Sequence, residues 1–320
     1  MKALLAGGAG FIGSHLCDAL LAAGYEVVAL DNLITGRVQN LSHLMHEPRF
    51  RFLQHDVSDP LPDGLDVQLI LQLASPASPE GYGRYPIETM LANSTGTHRL
   101  VELARQCGAR FLLASTSEAY GDPQVHPQTE SYWGHVNPVG PRACYDESKR
   151  YAEAMTINYH WKFGLDVRIA RIFNCYGPRS ALDDGRIVPN FVTQALRGEP
   201  ITVYGAGQQT RSLCYVDDLV SGLLRLAGTP GLAGELVNLG CPDEHPVLEY
   251  ATLIRDLAKS SSPIHHLPAR PEEIAQRCPD IGKAQRLLQW EPTTSLVEGL
   301  RRTIEWFRWQ VPPPASGAVA

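Results

Sequence analysis

The sequence predicts an α/β protein: a doubly wound parallel Rossmann sheet with a smaller C-terminal α/β substrate domain. Three observations predict it. Short apolar, strand-like segments alternate with helical ones, as a parallel sheet covered on both faces requires. The first strand runs directly into glycines and then a helix. Past Gly177 prolines and glycines become frequent and the elements short and mixed, which marks a second unit.

In chain order, residues 2–6 read as a short buried strand. Residues 14–23 place Leu16, Ala19, Leu20 and Ala23 at helical spacing, and Gly24 suits the stop. Residues 25–30 give a second strand ending at Asp31. Further strands are expected at 51–54, 67–73, 111–115 and 167–172, with helices over 87–107 and 145–163. The expected organisation is a cofactor domain over 1–176 that takes its last strands from 212–240. An interleaved substrate domain covers 177–310, and a disordered tail covers 311–320.

Hydrophobic residues make up 44% and charged residues 19%, enough for a sizeable core and unlike a disordered or collagen-like chain. The net charge of −6 disfavours nucleic acid as a partner. Seven cysteines, an odd number, form no CxxC pair and no cluster with histidines, which argues against a metal site or a disulfide framework. Free thiols fit a reducing cytosol. The apolar stretch after Lys2 is too short for a signal segment. No run approaches the roughly 20 apolar residues that span a bilayer. The expected protein is cytoplasmic, with no membrane partner.

Gly7, Gly10 and Gly13, with Phe11 and Ile12 between them, form a GxxGxxG loop. Glycines let backbone approach a pyrophosphate, and the helix behind points free N–H groups at it. Asp31 ends the next strand, where a carboxylate accepts from an adenosine ribose and repels a 2′-phosphate. NAD is therefore favoured over NADP. Asp56 and Val57 sit where an adenine edge would lie. Asn32, Thr35 and Gly36 on the loop after Asp31, and Leu73 and Ser75 after the fourth strand, join the expected cofactor contacts. The plainer alternative is a strand–turn–helix that binds nothing.

Tyr145 and Lys149 lie four apart on a predicted helix and so share a face. An ammonium beside a phenol is expected to lower its pKa and fit it for proton transfer. Alone, this spacing is common on helix surfaces. Its partner is the fifth strand's end, Ser115-Thr116-Ser117-Glu118. Thr116 and Glu118 alternate and so face one side of the crevice at the strand ends, where ligands of such sheets bind.

Together these residues resemble the extended short-chain dehydrogenase/reductases, and within them the UDP-glucuronate decarboxylases, or UDP-xylose synthases. The run over 114–150 is similar to their signature: Thr-Ser-Glu after the strand, Tyr-Trp-Gly-His-Val-Asn-Pro, and Pro-Arg-Ala-Cys-Tyr before the lysine. The segment over 73–79, Arg171-Ile172-Phe173-Asn174, Gly177-Pro178-Arg179, Asp184-Gly185-Arg186 and Gln209-Thr210-Arg211 continue the likeness over roughly residues 1–310. The resemblance implies C4 oxidation of UDP-glucuronate by NAD with Tyr145 as base and Thr116 on the same oxygen. CO2 then leaves from the β-keto acid, Glu118 assists protonation at C5, and C4 is reduced again. It implies Arg277 near the uronate carboxylate. Tyr82, Asn174, Arg186, Val188, Tyr204 and Arg211 are implied as substrate contacts, and a homodimer as the assembly. A 4,6-dehydratase or 4-epimerase of the same family is the enzymatic alternative. A catalytically silent NAD-binding regulator is the other.

Some positions depart from the pattern. Gly81 stands where relatives carry asparagine, Cys278 where they carry lysine, and Cys175-Tyr176 where they carry Thr-Phe. Leu91 matches a lysine that contacts cofactor phosphates, so weaker dinucleotide retention and some release of UDP-4-keto-xylose are expected. Cys144 reads as a small packing residue without a neighbouring base, and His265-His266 as loop or surface. Trp306 and Trp309 are both expected to pack.

Overall fold

The computed structural model describes residues 1–269 and 276–311; the expected tail beyond Val311 lies outside them. The first half of the chain runs β1 (Lys2–Ala6), α1 (Phe11–Ala22), β2 (Glu26–Asp31), β3 (Phe50–Gln54), β4 (Leu69–Gln72), α2 (Pro79–Arg84), α3 (Pro86–Leu91), α4 (Thr97–Cys107), β5 (Arg110–Thr116), α5 (Ala143–Phe163) and β6 (Val167–Ile172). The second half runs β7 (Cys175–Tyr176), α6 (Ile187–Arg197), β8 (Ile201–Tyr204), β9 (Thr210–Ser212), β10 (Cys214–Tyr215), α7 (Val216–Gly228), β11 (Glu235–Leu239), β12 (Glu244–Pro246), α8 (Val247–Ala258), β13 (Ile264–Leu267), α9 (Gly282–Leu288) and α10 (Leu296–Gln310).

Seven strands form one parallel sheet in the order β11-β6-β5-β4-β1-β2-β3. In register, Leu4 lies opposite Val28 on one side and Ile70 on the other. Strand order reverses beside β1, which opens a crevice at the carboxyl ends of β1 and β4. The strands are apolar on both faces because helices cover both. Ala3 and Leu5 pack with α1 and α7, while Leu4 and Ala6 pack with α4 and α5. The first of these clusters does not stop at the sheet. It continues through Val192 and Ile201 to Leu300 and Phe307, so the smaller C-terminal elements share the sheet's core.

Two expectations are corrected. The helix expected over 87–107 is broken by a π turn over Ala92–Gly96. Asn93 turns fully inward there and donates to Ser75 Oγ at 2.9 Å, Thr89 O at 3.0 Å and Ser148 Oγ at 3.1 Å. The π turn lets this side chain tie the helix to the loop after β4 and to α5. Trp306 packs partly against the core, whereas Trp309 is 84% exposed on the last turn of α10. The histidine pair His265-His266 is exposed, though on β13. Among the described residues no helix is long and apolar enough to cross a membrane.

Candidate active site

The glycine loop between β1 and α1 is too tight for side chains. Gly7 has φ +82°, and a Cβ there would lie 2.7 Å from Ala74 N; a Cβ on Gly13 would lie 2.0 Å from Gly7 O. The loop is tied to β2 by Asp31, whose Oδ2 accepts from Ala9 N–H and Oδ1 from Leu33 N–H, both at 2.9 Å. Burial pushes the Asp31 carboxyl up, against the N–H groups that favour its ionised form. Beside it a small cavity of about 60 Å³ is lined by Asp31, Asn32, Asp56, Val57 and Glu88, among others. Asn32 donates to Asp56 Oδ2 at 2.7 Å. A dinucleotide fits these residues: the loop leaves room for phosphates only where side chains are absent, and a carboxylate marks the ribose position.

From there a cleft of about 830 Å³ runs across the strand ends into the C-terminal elements. Gly7, Gly10, Phe11, Ile12, Gly13, Thr35, Gly36, Leu73 and Ser75 line its first part. Thr116, Glu118, Tyr145, Lys149 and Arg277 line its middle, and Tyr82, Asn174, Arg186, Val188, Tyr204 and Arg211 the remainder. Arg37 on one lip and Asp183 on the other meet at 2.9 Å.

In the middle, α5 presents Tyr145 and Lys149 and β5 presents Thr116, all buried. Thr116 lies beside the Tyr145 phenol and favours its ionised form. Tyr82 stacks on Tyr145, with ring centroids 5.2 Å apart and planes 12° from parallel. Lys149 Nζ donates to Ala114 O at 2.9 Å and lies 5.9 Å from the Tyr145 ring centroid. The expected lowering of the phenol's pKa is not found. Burial pushes Tyr145 up, and Thr116 only partly offsets it. The same burial pulls Lys149 down to about 8, opposed by Glu153 one turn on. In a site this dry, desolvation outweighs the attraction between the two ionised forms.

Glu118 is clamped by two arginines. Its Oε1 lies 2.5 Å from Arg277 Nη1, and its Oε2 is paired with Arg142 Nη2. Arg277 is 2% exposed and also donates to Gly121 O at 2.7 Å and Ser117 Oγ at 3.4 Å. Burial works to raise the Glu118 carboxyl, but Arg277 and Arg142 outweigh it and hold it below the usual range. Further along, Arg186 is paired with Asp184, and Arg211 Nη1 donates to Thr210 O at 2.7 Å.

Arg142 and Asp146 escaped the sequence reading. Both flank Tyr145, and Arg142 lies inside the Pro-Arg-Ala-Cys-Tyr motif, but nothing local shows that it meets Glu118 across 24 residues of chain. Leu91 is 44% exposed on α3 and lines neither cavity, while Glu88 and Ala92 on either side of it line the smaller one. Cys278 is buried and its thiol donates to Pro242 O at 3.2 Å, while Cys144 donates to Tyr82 O at 3.8 Å.

The family model described as GDP-mannose 4,6 dehydratase matches residues 4–303. UDP-glucuronic acid decarboxylase 1 of Danio rerio is 52% identical over 306 residues, covering 96% of this chain and 72% of its own length. UDP-glucuronic acid decarboxylase 1 of Arabidopsis thaliana is 50% identical over 308 residues, covering 96% and 70%. Among solved structures, UDP-glucuronic acid 4-epimerase from Bacillus cereus, in complex with UDP-glucuronic acid and NAD, superposes with a TM-score of 0.87. It is 30% identical and covers 97% of this chain and 100% of its own. With its sheet order, glycine loop and Thr-Tyr-Lys cleft, the chain belongs to the GDP-mannose 4,6-dehydratase family of extended short-chain dehydrogenase/reductases.

Proposed function

We propose that this protein is an NAD-dependent UDP-glucuronate decarboxylase that forms UDP-xylose. One observation carries the choice of a uronate over a neutral sugar within the family. A guanidinium only 2% exposed, Arg277, lines the cleft with Tyr145 and carries the Glu118 carboxylate. A uronate carboxylate can take that place on the guanidinium, and a neutral sugar ring cannot. The identity of about 50% to UDP-glucuronic acid decarboxylases supports the same reading.

Gly7, Gly10, Gly13 and Asp31 would hold NAD, which supplies a hydride acceptor at C4 and returns the hydride once CO2 has left. Tyr145 takes the C4 hydroxyl proton, with its phenol directed by Thr116. Its raised pKa makes it a strong base once ionised and keeps it protonated when no base draws the proton away. Lys149 Nζ, 5.9 Å from the ring centroid, sets a positive charge beside the phenol that favours its ionised form. The resulting ketone lies β to the C6 carboxylate, so the electrons of the breaking C5–C6 bond flow to the C4 oxygen. The Tyr145 O–H and Thr116 stabilise that oxyanion. Arg186 and Arg211 face the diphosphate, and Tyr204 the base.

Incubation with UDP-glucuronate and NAD should release CO2 and yield UDP-xylose, while UDP-glucose should give no turnover. Epimerised UDP-galacturonate without CO2 would refute the assignment. We infer a homodimer from Ile87 and Met90 on α3 and Tyr151 and Trp161 on α5, apolar residues left 47–70% exposed on neighbouring helices. Sedimentation at micromolar concentration tests it. Seven free thiols support a cytoplasmic location.

A further inference from the structure

Arg142 stands at the start of α5, three residues before Tyr145, and lines the cleft. Among the described residues, only one arm of its guanidinium fork is hydrogen-bonded, on Glu118. Its Nε is buried without a hydrogen-bond partner. So is Asp146 Oδ1, although Asp146 Oδ2 lies 3.7 Å from that Nε. Arg277 holds the other oxygen of the same glutamate. Two guanidinium groups thus share one carboxylate. A planar fork that lines the cleft, with a carboxylate behind its Nε, can turn its outer nitrogens to a second, bidentate partner.

We propose that Arg142 is the second arm of the uronate site: the substrate carboxylate takes the place of Glu118 between Arg142 and Arg277, and Glu118 turns to the sugar ring. Asp146 acts here as a positioning residue that keeps Arg142 aimed at the cleft. The proposal rests on the decarboxylase assignment.

The exchange gives Glu118 its chemistry. Off the two arginines, it loses the interactions that oppose burial, and it takes a proton from solvent as the uronate docks. When CO2 leaves, the C5–C6 electron pair becomes the enolate. The enolate then forms the C5–H bond as the Glu118 O–H bond breaks. The regenerated carboxylate returns to the arginines that the departing CO2 has vacated.

Equilibrium binding to the NAD-loaded Tyr145→Phe enzyme, which holds substrate without turnover, tests this with two ligands. UDP-glucuronate and UDP-xylose share nucleotide and ring and differ by the carboxylate. Arg142→Gln should weaken UDP-glucuronate by about 10- to 100-fold and UDP-xylose by less than about 2-fold. Arg142→Lys, which keeps the charge and loses the fork, should give a smaller loss confined to UDP-glucuronate. Equal losses for both ligands, or no loss for either, overturn the proposal. Titration in buffers of differing ionisation enthalpy should show proton uptake with UDP-glucuronate and none with UDP-xylose; equal uptake overturns the release of Glu118. If the unmutated enzyme releases CO2 while Arg142→Gln treats both ligands alike, this proposal alone fails. If it releases none from UDP-glucuronate, the assignment beneath it fails too.

Discussion

Glu153 meets Arg171 on the closed side of the crevice, and Glu118 meets Arg277 and Arg142 where β5 opens into it. In the closed pair, Arg171 donates through two nitrogens to the two oxygens of Glu153, at 2.8 and 2.7 Å, and Ser115 Oγ adds a third bond at 2.5 Å. The guanidinium also lies over the Tyr120 ring, 4.5 Å from its centroid, and the Tyr120 hydroxyl donates to Asn238 Oδ1. Both glutamate oxygens are used, and neither Glu153 nor Arg171 lines the cleft. In the open pair one carboxylate is divided between two guanidinium groups, and Glu118, Arg142 and Arg277 all line the cleft. The same residue types therefore serve architecture in one place and exchange in the other. Availability of a competing partner decides which.

Arg171→Met should cost the most stability. It strands the Glu153 charge in the core, and breaking a buried pair costs about 3–5 kcal/mol, readable as a shift of the urea midpoint. Glu118→Gln keeps a hydrogen-bonding side chain on two guanidinium groups that line the cleft, so it should lower that midpoint less, with CO2 release down about 100-fold or more. Equal unfolding penalties for the two variants would erase the distinction.

Asp146 sharpens it through pH. Burial and then Glu118 push its carboxyl up to about 7, despite Arg142. From about pH 4, the ordinary range, to about pH 7, the folded chain keeps a proton that the unfolded chain has released. This contribution to stability therefore falls as pH rises through that window. Asp146→Asn removes it, so the variant should gain on the parent from about pH 4 to 7, in melting temperatures across that range. A constant offset would show that Asp146 is not the titrating group. Leu91→Lys should have the smallest effect, less than about a 2-fold change in NAD affinity by fluorescence titration, because an exposed side chain that lines neither cavity adds at most a solvent-screened charge.

Much of this was legible in the sequence. The glycines, Asp31 and the alternating strands are local patterns with one physical meaning, and the sheet carries them in order. Thr116, Tyr145 and Lys149 were legible because strand ends and helix faces follow from spacing alone. What was hidden depends on partners distant in sequence. The break at Asn93 exists because Ser75 and Ser148 wait for it. Arg142 acquires meaning only when Glu118 folds against it. The direction of the Tyr145 shift was missed because spacing reports a neighbouring charge and says nothing of how much water the fold removes.

The apolar cluster that runs from Ala3 on β1 through Leu219 on α7 to Phe307 on α10 has a mechanical consequence. Enzymes that swallow large ligands often swing two bodies about a hinge, along a seam of weak polar contacts. Here that seam is filled with aliphatic side chains, and a hinge motion would tear the core itself. A chain severed near residue 176 would leave two halves, each exposing the other's packing surface. At the rim of the cleft Arg37 and Asp183 form an exposed ion pair that adds at most about 1 kcal/mol, so the rigidity of the cleft comes from the shared core beneath it and not from its rim.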